Sequence, residues 1–266
     1  MNIRKAGNSG RFYPSKSAQI IKMIDEWEDF LKNSEYSIKN ENKYKIAIVP
    51  HAGYIYSGFT AYCSLKKLQT YKFDKLVVVG PSHHVHIHGF SIAENEEFET
   101  PFGNLKNDNE MVDKIESLFD VDYSSNAHYL EHSTENQFPL IKYLFPDIKI
   151  IEIIYGNIST KTLTDLFSFI LNSKNTGLVI STDLSHFHTL SQAIKIDNNC
   201  IEALQQLNPD LLQQCEACGK PGLLAILNYC MDNVYNIEIV DYRTSAEMSG
   251  DTTRVVGYLG AVILNK

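Results

Sequence analysis

The sequence lacks the features typical of proteins that bind membranes or nucleic acids. No apolar run approaches the roughly 18 residues that a membrane-spanning helix needs, and the start, MNIRKAGNSGRFYPSKS, has no apolar secretory core. Lys and Arg number 24 against 32 Asp and Glu, which gives a formal net charge of -8. Because phosphate backbones and anionic lipids attract basic surfaces, we expect no nucleic-acid or membrane partner. The predicted location is cytoplasmic.

Cysteine is scarce, and no phosphate-binding loop is present. The five cysteines are scattered and odd in number, which predicts reduced thiols without a disulfide framework. Cys215 and Cys218 form a C-x-x-C pair, but no second pair follows at zinc-ribbon spacing. We interpret that pair as the end of a helix running into Gly219.

The sequence contains no G-x-G-x-x-G, Walker-type or G-x-S-x-G motif, which disfavours dinucleotide, nucleoside triphosphate and serine-hydrolase functions.

Alternation of short apolar runs with longer amphipathic segments predicts an α/β fold. With 44% hydrophobic residues the chain can bury a core, and no linker divides it, so we expect a single domain over 1–266. The predicted sheet is mixed or mostly parallel and flanked by helices, with a polar surface connection at 33–43. The predicted strands are 45–49, 75–79, 148–155, 178–182, 234–242 and 255–264. The predicted helices are 17–32, 59–68, 109–119, 135–144, 161–171, 191–207 and 222–231. Strands 75–79 and 178–182 are apolar without alternation, which places them at the centre.

Histidines mark the ends of the predicted strands. All nine lie between positions 51 and 188, and His51, His83 and His186 each follow a strand directly. In open α/β sheets the loops at the carboxyl ends of strands converge on one crevice, where ligands bind. We therefore expect these three histidines to contribute to one site, with His84 in a supporting position beside it.

Two acidic segments accompany these histidines. Asp183 lies three residues before His186 and could orient its imidazole as a general acid or base, or could only cap the following turn. Glu131 and His132 precede Ser133 in a helix-start pattern. That pattern predicts either an N-cap alone or a helix end that directs both side chains toward the crevice.

An ordered set of motifs resembles the Memo family along nearly the whole chain. The matching segments are GRFYP near the start, PHAGYIYSG at 50–58, GPSHH at 80–84, TPFG at 100–103, EHSTENQFP at 131–139, STDLSHF at 181–187, CGKPG at 218–222 and DYRTSAEMSGD at 241–251. The resemblance implies one α/β domain similar to the class III extradiol dioxygenases, which are non-haem iron enzymes. It also implies that His51 and His83 are metal ligands and that His186 is the acid/base histidine.

The third ligand is where the sequence departs from the family. Eukaryotic members carry a cysteine at the position that falls on Met248, and a thioether is a poor Fe(II) ligand. Glu247 would complete a two-histidine, one-carboxylate triad that suits Fe(II), so we predict His51, His83 and Glu247 as ligands, with Met248 as the alternative third ligand because neighbouring residues of an extended loop point opposite ways. His84, Glu131, His132 and Met248 are predicted to line the pocket.

Three function classes are open at this point. The first is an Fe(II)-dependent, dioxygenase-like oxidoreductase acting on an unknown small molecule, with His186 and Asp183 moving protons. The second is a metal-free binding or scaffold protein that holds a peptide or another ligand in a vestigial site. The third is a zinc hydrolase, because the same ligand set suits zinc-activated water. The sequence assigns no substrate and no oligomeric state.

Overall fold

A computed structural model describes residues 2–33 and 42–265, so the predicted connection at 33–43 falls largely outside the described residues. Within those ranges the strands are β1 Ile3–Arg4, β2 Tyr44–Val49, β3 Lys75–Pro81, β4 Phe90–Ile92, β5 Glu97–Phe98, β6 Leu105–Asn107, β7 Lys149–Tyr155, β8 Thr176–Ser181, β9 His186–His188, β10 Tyr235–Thr244 and β11 Val255–Asn265. The α-helices are α1 Ser17–Asn33, α2 Phe59–Lys67, α3 Asn109–Leu118, α4 Ser125–Tyr129, α5 His132–Glu135, α6 Phe138–Leu144, α7 Thr160–Asn172, α8 Leu190–Gln206, α9 Pro209–Leu212, α10 Lys220–Asn233 and α11 Ala246–Ser249.

All the strands join one mixed sheet. Its order is β1-β5-β6-β7-β3-β8-β2-β11-β10, with β4 paired to β7 and β9 paired to β11. The four strands β7, β3, β8 and β2 run parallel, whereas β11 is antiparallel to both β2 and β10. The single mixed, mostly parallel α/β fold is therefore confirmed, with β3 and β8 at the centre as predicted.

The sheet separates two hydrophobic cores, and each parallel strand contributes to both. Val77 and Val79 of β3 pack into one core, whereas Leu76 and Val78 pack into the other. This follows from the two-residue side-chain period of a strand. Helices α3, α7, α8 and α10 cover the first face, and helices α1, α2 and α6 cover the second. Among the described helices, none is both long and apolar enough to cross a bilayer.

The predicted helix 135–144 is two helices, α5 and α6, separated at Asn136 and Gln137. Both side chains donate hydrogen bonds to backbone carbonyls of the loop after β2, Asn136 to His51 and Gln137 to Pro50, the latter at 2.9 Å. These amides connect that loop to the segment between the helices. The break therefore brings the α5 region against the carboxyl end of the sheet.

The prediction of five reduced thiols is wrong for two of them, because Cys200 of α8 and Cys215 form a disulfide. Both residues are buried where α8 packs near the segment that follows α9, and their Cα atoms lie 4.9 Å apart. That separation suits a disulfide and is set by tertiary packing, which cysteine spacing does not reveal. Cys63, Cys218 and Cys230 are free.

Candidate metal centre

The carboxyl ends of the parallel strands place His51 and His83 side by side. His51 comes two residues after β2 and His83 two residues after β3, with β8 lying between those strands. The Asp183 carboxylate, which follows β8, accepts a hydrogen bond of 2.7 Å from the His51 amide. The centroids of the two imidazole rings are 5.2 Å apart. The convergence predicted for these two strand ends is thus present.

His51 is buried, and one of its two ring nitrogens forms a hydrogen bond within the protein. Its Nδ1 pairs with the Ser181 hydroxyl at 2.8 Å, so Nε2 is the ring nitrogen that faces the centre. Burial lowers the pKa of His51, but the nearby Cys218 and Asp183 outweigh that effect and raise it. The ring orientation is therefore fixed by the last residue of β8.

His83 is backed by a buried carboxylate. Its Nδ1 pairs with Glu131 at 2.9 Å, and its amide donates to the other carboxylate oxygen at 2.6 Å. Burial lowers the pKa of His83, but hydrogen bonds to Cys218 and Glu131 reverse this and raise it to about 10. Although burial raises the pKa of Glu131, its bonds to His83 hold that pKa well below its usual range. The pair leaves His83 Nε2 available to the centre.

His132, the first residue of α5, completes a cluster of three rings. Its centroid lies 4.6 Å from that of His83 and 5.4 Å from that of His51, and Phe12 stacks on it at 4.5 Å. Burial together with the charges of His51 and His83 lowers the pKa of His132, which keeps this imidazole neutral. A neutral imidazole retains the lone pair that a metal requires.

The three histidines fit a metal ion. One ring nitrogen from each of His51, His83 and His132 lies within 4.8 Å of the other two. Imidazole suits zinc, copper, iron and nickel, and three such donors leave coordination positions open. The second engaged nitrogen on His51 and on His83 is typical of metal-ligating histidines, whose outer partners fix ring orientation. The chain thus has a candidate His-cluster metal site.

A second group, formed by His84, Glu131 and His132, also meets the distance condition. Its carboxylate is already engaged, because Glu131 accepts hydrogen bonds from the His83 amide, the His83 ring and the Ser133 amide. His84 is exposed, but so is His83 of the first group, so the engaged carboxylate is what separates the two groups. The first group therefore fits a metal better, and Glu131 acts as an outer partner of His83.

Cys218 is a site residue that the sequence interpretation missed. Its sulfur lies 3.3 Å from His51 Nε2 and is near enough to His83 to contribute to the raised pKa of that imidazole. Burial raises the pKa of Cys218, but His51 and the hydrogen bonds from both histidines lower it to about 6. The expected helix end is also wrong, because α10 begins at Lys220, just after Cys218. The C-x-x-C spacing gave no signal, since its partner Cys215 bonds to Cys200 instead.

The structure places Glu247 and Met248 in a segment that carries none of the three clustered histidines. Both are in the short helix α11, where the Glu247 carboxylate accepts a hydrogen bond of 3.0 Å from the Thr244 amide. Met248 is 60% exposed and lines an apolar cavity with Trp27 and Phe30. In the described ranges, neither metal-compatible group includes Glu247 or Cys218. The assignment of Glu247 as the third metal ligand stays a prediction. In the structure, a ring nitrogen of His132 is the third donor beside those of His51 and His83.

The acid/base pair of Asp183 and His186 likewise stays a prediction. His186 begins β9 and pairs with Val256 of β11, while Asp183 hydrogen-bonds the His51 amide. Within 2–33 and 42–265, no hydrogen bond joins Asp183 to His186. What Asp183 does in this structure is to fix the loop that carries His51.

Known proteins match the chain along almost its full length. The family model described as "Memo-like protein" matches residues 4–262. A "MEMO1 family protein" from Methanobrevibacter smithii is 31% identical, with 98% of this chain and 99% of that protein covered. Another, from Aquifex aeolicus, is 30% identical, with 99% and 100% covered. The crystal structure of the uncharacterized protein JW3007 from Escherichia coli K12 has a TM-score of 0.57 at 13% identity, covering 83% of this chain and 99% of that one. That last likeness shows the fold alone.

Proposed function

Since the chain belongs to the Memo family, we propose that it is a metal-dependent oxidoreductase whose His51, His83 and His132 hold one non-haem iron. The observation that carries the proposal is the approach of three imidazole nitrogens to within 4.8 Å of one another at the carboxyl edge of the sheet. Ligand sites of open α/β sheets lie at this edge. The likeness to extradiol dioxygenases, noted from the motifs, supports iron among the metals that imidazole accepts.

Iron held this way would supply open coordination positions for a substrate with adjacent oxygen atoms and for dioxygen. The protein's own contribution is to orient the ligands. Ser181 holds the ring of His51 and Glu131 holds the ring of His83, while Phe12 covers His132. We retain Asp183 and His186 as the proposed acid/base pair, with Asp183 also positioning the His51 loop.

A second candidate function is zinc-dependent hydrolysis. Three histidines without a carboxylate form a ligand set found in catalytic zinc sites, and a carboxylate behind a histidine is common there. The Glu131–His83 contact at 2.9 Å favours this alternative. The identity of the bound metal separates the two functions.

The test is metal content in protein purified without oxygen. We compare the wild type with His51→Ala, His83→Ala and His132→Ala, and check folding by circular dichroism. Near-stoichiometric iron in the wild type, absent from all three variants, is the expected result. Stoichiometric zinc would instead support the hydrolase.

Two further variants serve as controls for the ligand set. His86→Ala removes an exposed histidine outside the cluster and should keep the metal. Glu247→Ala tests the carboxylate ligand that the sequence predicts, and we expect it to keep the metal as well. If it loses the metal while His132→Ala keeps it, the third ligand is Glu247. Folded wild-type protein that takes up no metal after Fe(II) reconstitution would overturn the proposal in favour of a metal-free binding protein.

A further inference from the structure

The position of Cys218 adds a sulfur atom to the histidine cluster. Its Sγ lies 3.3 Å from His51 Nε2, the nitrogen left free by the contact between Nδ1 and Ser181. The same sulfur is near enough to His83 to contribute to the raised pKa of that imidazole. Cys218 therefore lies beside both imidazoles that follow β2 and β3.

The backbone around Cys218 is shaped to hold this sulfur in place. The Asp183 amide donates to Sγ at 3.2 Å, and the Cys218 amide donates to the Asp183 carbonyl at 3.3 Å. Gly219 donates to the Thr182 hydroxyl at 2.9 Å, and a Cβ at Gly219 would approach Thr182 Cβ to 2.6 Å. Only glycine permits this close approach, which joins the segment before α10 to the end of β8.

Other cysteines of the chain have different surroundings. Cys63 is buried with apolar neighbours in the core between the sheet and α1, α2 and α6, and Cys230 lies in the core on the opposite face. Cys218 instead faces two imidazoles and accepts a backbone N–H. A thiolate that accepts an N–H bond next to imidazole donors is a typical soft metal ligand.

We propose that Cys218 ligates the metal through its sulfur, giving a donor set of three histidines and one thiolate. This rests on the proposed metal site. On binding, the Cys218 sulfur bonds to the metal as a thiolate, the proton that it shares with the neighbouring imidazoles passes to solvent, and no oxidation state changes. A thiolate donor replaces the carboxylate of the predicted iron triad and shifts the site toward softer metals.

The experiment uses Co(II), because a thiolate–cobalt bond produces a charge-transfer absorption in the near ultraviolet that imidazole ligands do not. We titrate anaerobic wild-type protein with Co(II) and measure bound cobalt by mass spectrometry alongside the spectrum. The wild type should show the band at one equivalent. Cys218→Ser should lose it and bind Co(II) about tenfold or more weakly. Cys63→Ser and Cys230→Ser, which alter free cysteines elsewhere, should keep it.

A second measurement needs no variant. Mass-spectrometric mapping of alkylation compares Cys218 in the wild-type protein with and without Co(II), and we expect bound metal to protect it. Stoichiometric Co(II) without the band, a band retained in Cys218→Ser, or equal alkylation with and without bound metal would overturn the thiolate ligand and leave the three-histidine site standing. Folded wild-type protein that binds no Co(II) would overturn both.

Discussion

Two polar clusters each include a residue of the single turn of α5, His132 in one and Glu135 in the other, and they differ in how their charges are matched. The first is the histidine cluster. In the second, Arg4 contacts Glu135 at 2.8 Å and Glu152 at 3.2 Å, and its guanidinium also donates to backbone carbonyls. Asn8 and Tyr13 donate further hydrogen bonds to Glu135. This second group, the Arg4 cluster, joins the start of the chain to the α5 region.

On this difference we assign the Arg4 cluster a structural role and propose the histidine cluster as the metal site. In the Arg4 cluster one guanidinium contacts both carboxylates, and His128 lies 3.2 Å from Glu152, so each carboxylate has a basic partner within the protein. In the histidine cluster, ring nitrogens face one another, and protonating all of them would place like charges together. Such an arrangement is unfavourable unless the nitrogens remain neutral or bind a cation. We therefore expect changes in the Arg4 cluster to lower the stability of the fold, and changes in the histidine cluster to weaken metal binding.

The largest expected effect is on stability, from Arg4→Met. Burying two carboxylates without their cation should reduce the free energy of unfolding by about 3–5 kcal/mol, measured by urea denaturation at pH 7. Lys5→Met is the matched control, because Lys5 forms an exposed pair with Glu99 and should change stability by about 1 kcal/mol or less. A loss for Arg4→Met no greater than that of the control would contradict the structural role of the Arg4 cluster.

A pair of glutamates four residues apart should separate binding from stability. Glu131→Gln weakens the support of His83, and we expect metal affinity to fall about 10- to 100-fold while the protein stays folded. Glu135→Gln alters the Arg4 cluster and should lower the urea midpoint but leave the affinity of folded protein unchanged. Isothermal titration with Co(II) and urea denaturation measure the two effects. If both variants lost the same metal affinity, the two clusters would not differ in their contribution to metal binding.

Metal uptake should release a proton from His83. Because the pKa of His83 is raised to about 10, a metal must displace its proton at neutral pH. Between pH 7 and 9 the apparent affinity should rise by up to about tenfold per pH unit from this group, and titration in buffers of different ionisation enthalpy counts the protons. Glu131→Gln should make the dependence shallower. An affinity independent of pH would contradict a protonated His83.

The smallest expected effect is a loss of stability of the metal-free protein at acidic pH. The pKa of His132 is lowered in the folded state, whereas the unfolded chain has an ordinary value near 6.5. As pH falls below 6.5 the unfolded state binds the proton first, so His132 destabilises the fold. The stability of wild type relative to His132→Asn should decline between pH 6.5 and 4, as urea midpoints would show. A difference that is constant over this range would argue against a neutral His132.

The sheet and half of the cluster could be predicted because local patterns determine them. Apolar runs located β3 and β8, and the carboxyl-end rule brought His51 and His83 together. Strands of two or three residues, such as β5 and β9, have no usable periodicity and were missed. Their existence depends on pairing with partners that are distant in sequence.

The remainder of the cluster depends on tertiary packing. The helix-start pattern at His132 allowed two interpretations, and only one of them directed its side chain toward the crevice. The break after α5 is what brings this ring to the edge of the sheet. Cys218 reaches His51 because Gly219 packs against Thr182, a contact across 37 residues of chain. Glu247 was predicted from the resemblance to a family ligand set, with its segment treated as an extended loop. In the structure that segment is the short helix α11, which the resemblance did not predict.

The disulfide has a consequence for the chain before it folds. Linking Cys200 to Cys215 closes a loop of about 15 residues, which lowers the entropy of the unfolded ensemble by an amount equivalent to about 3 kcal/mol. Cys218 lies three residues beyond that loop. The cross-link therefore restricts, already in the unfolded state, the segment 200–215 that precedes Cys218. Both sulfurs are shielded by the core once the protein has folded, so a reductant would reach them most readily in a chain that has opened.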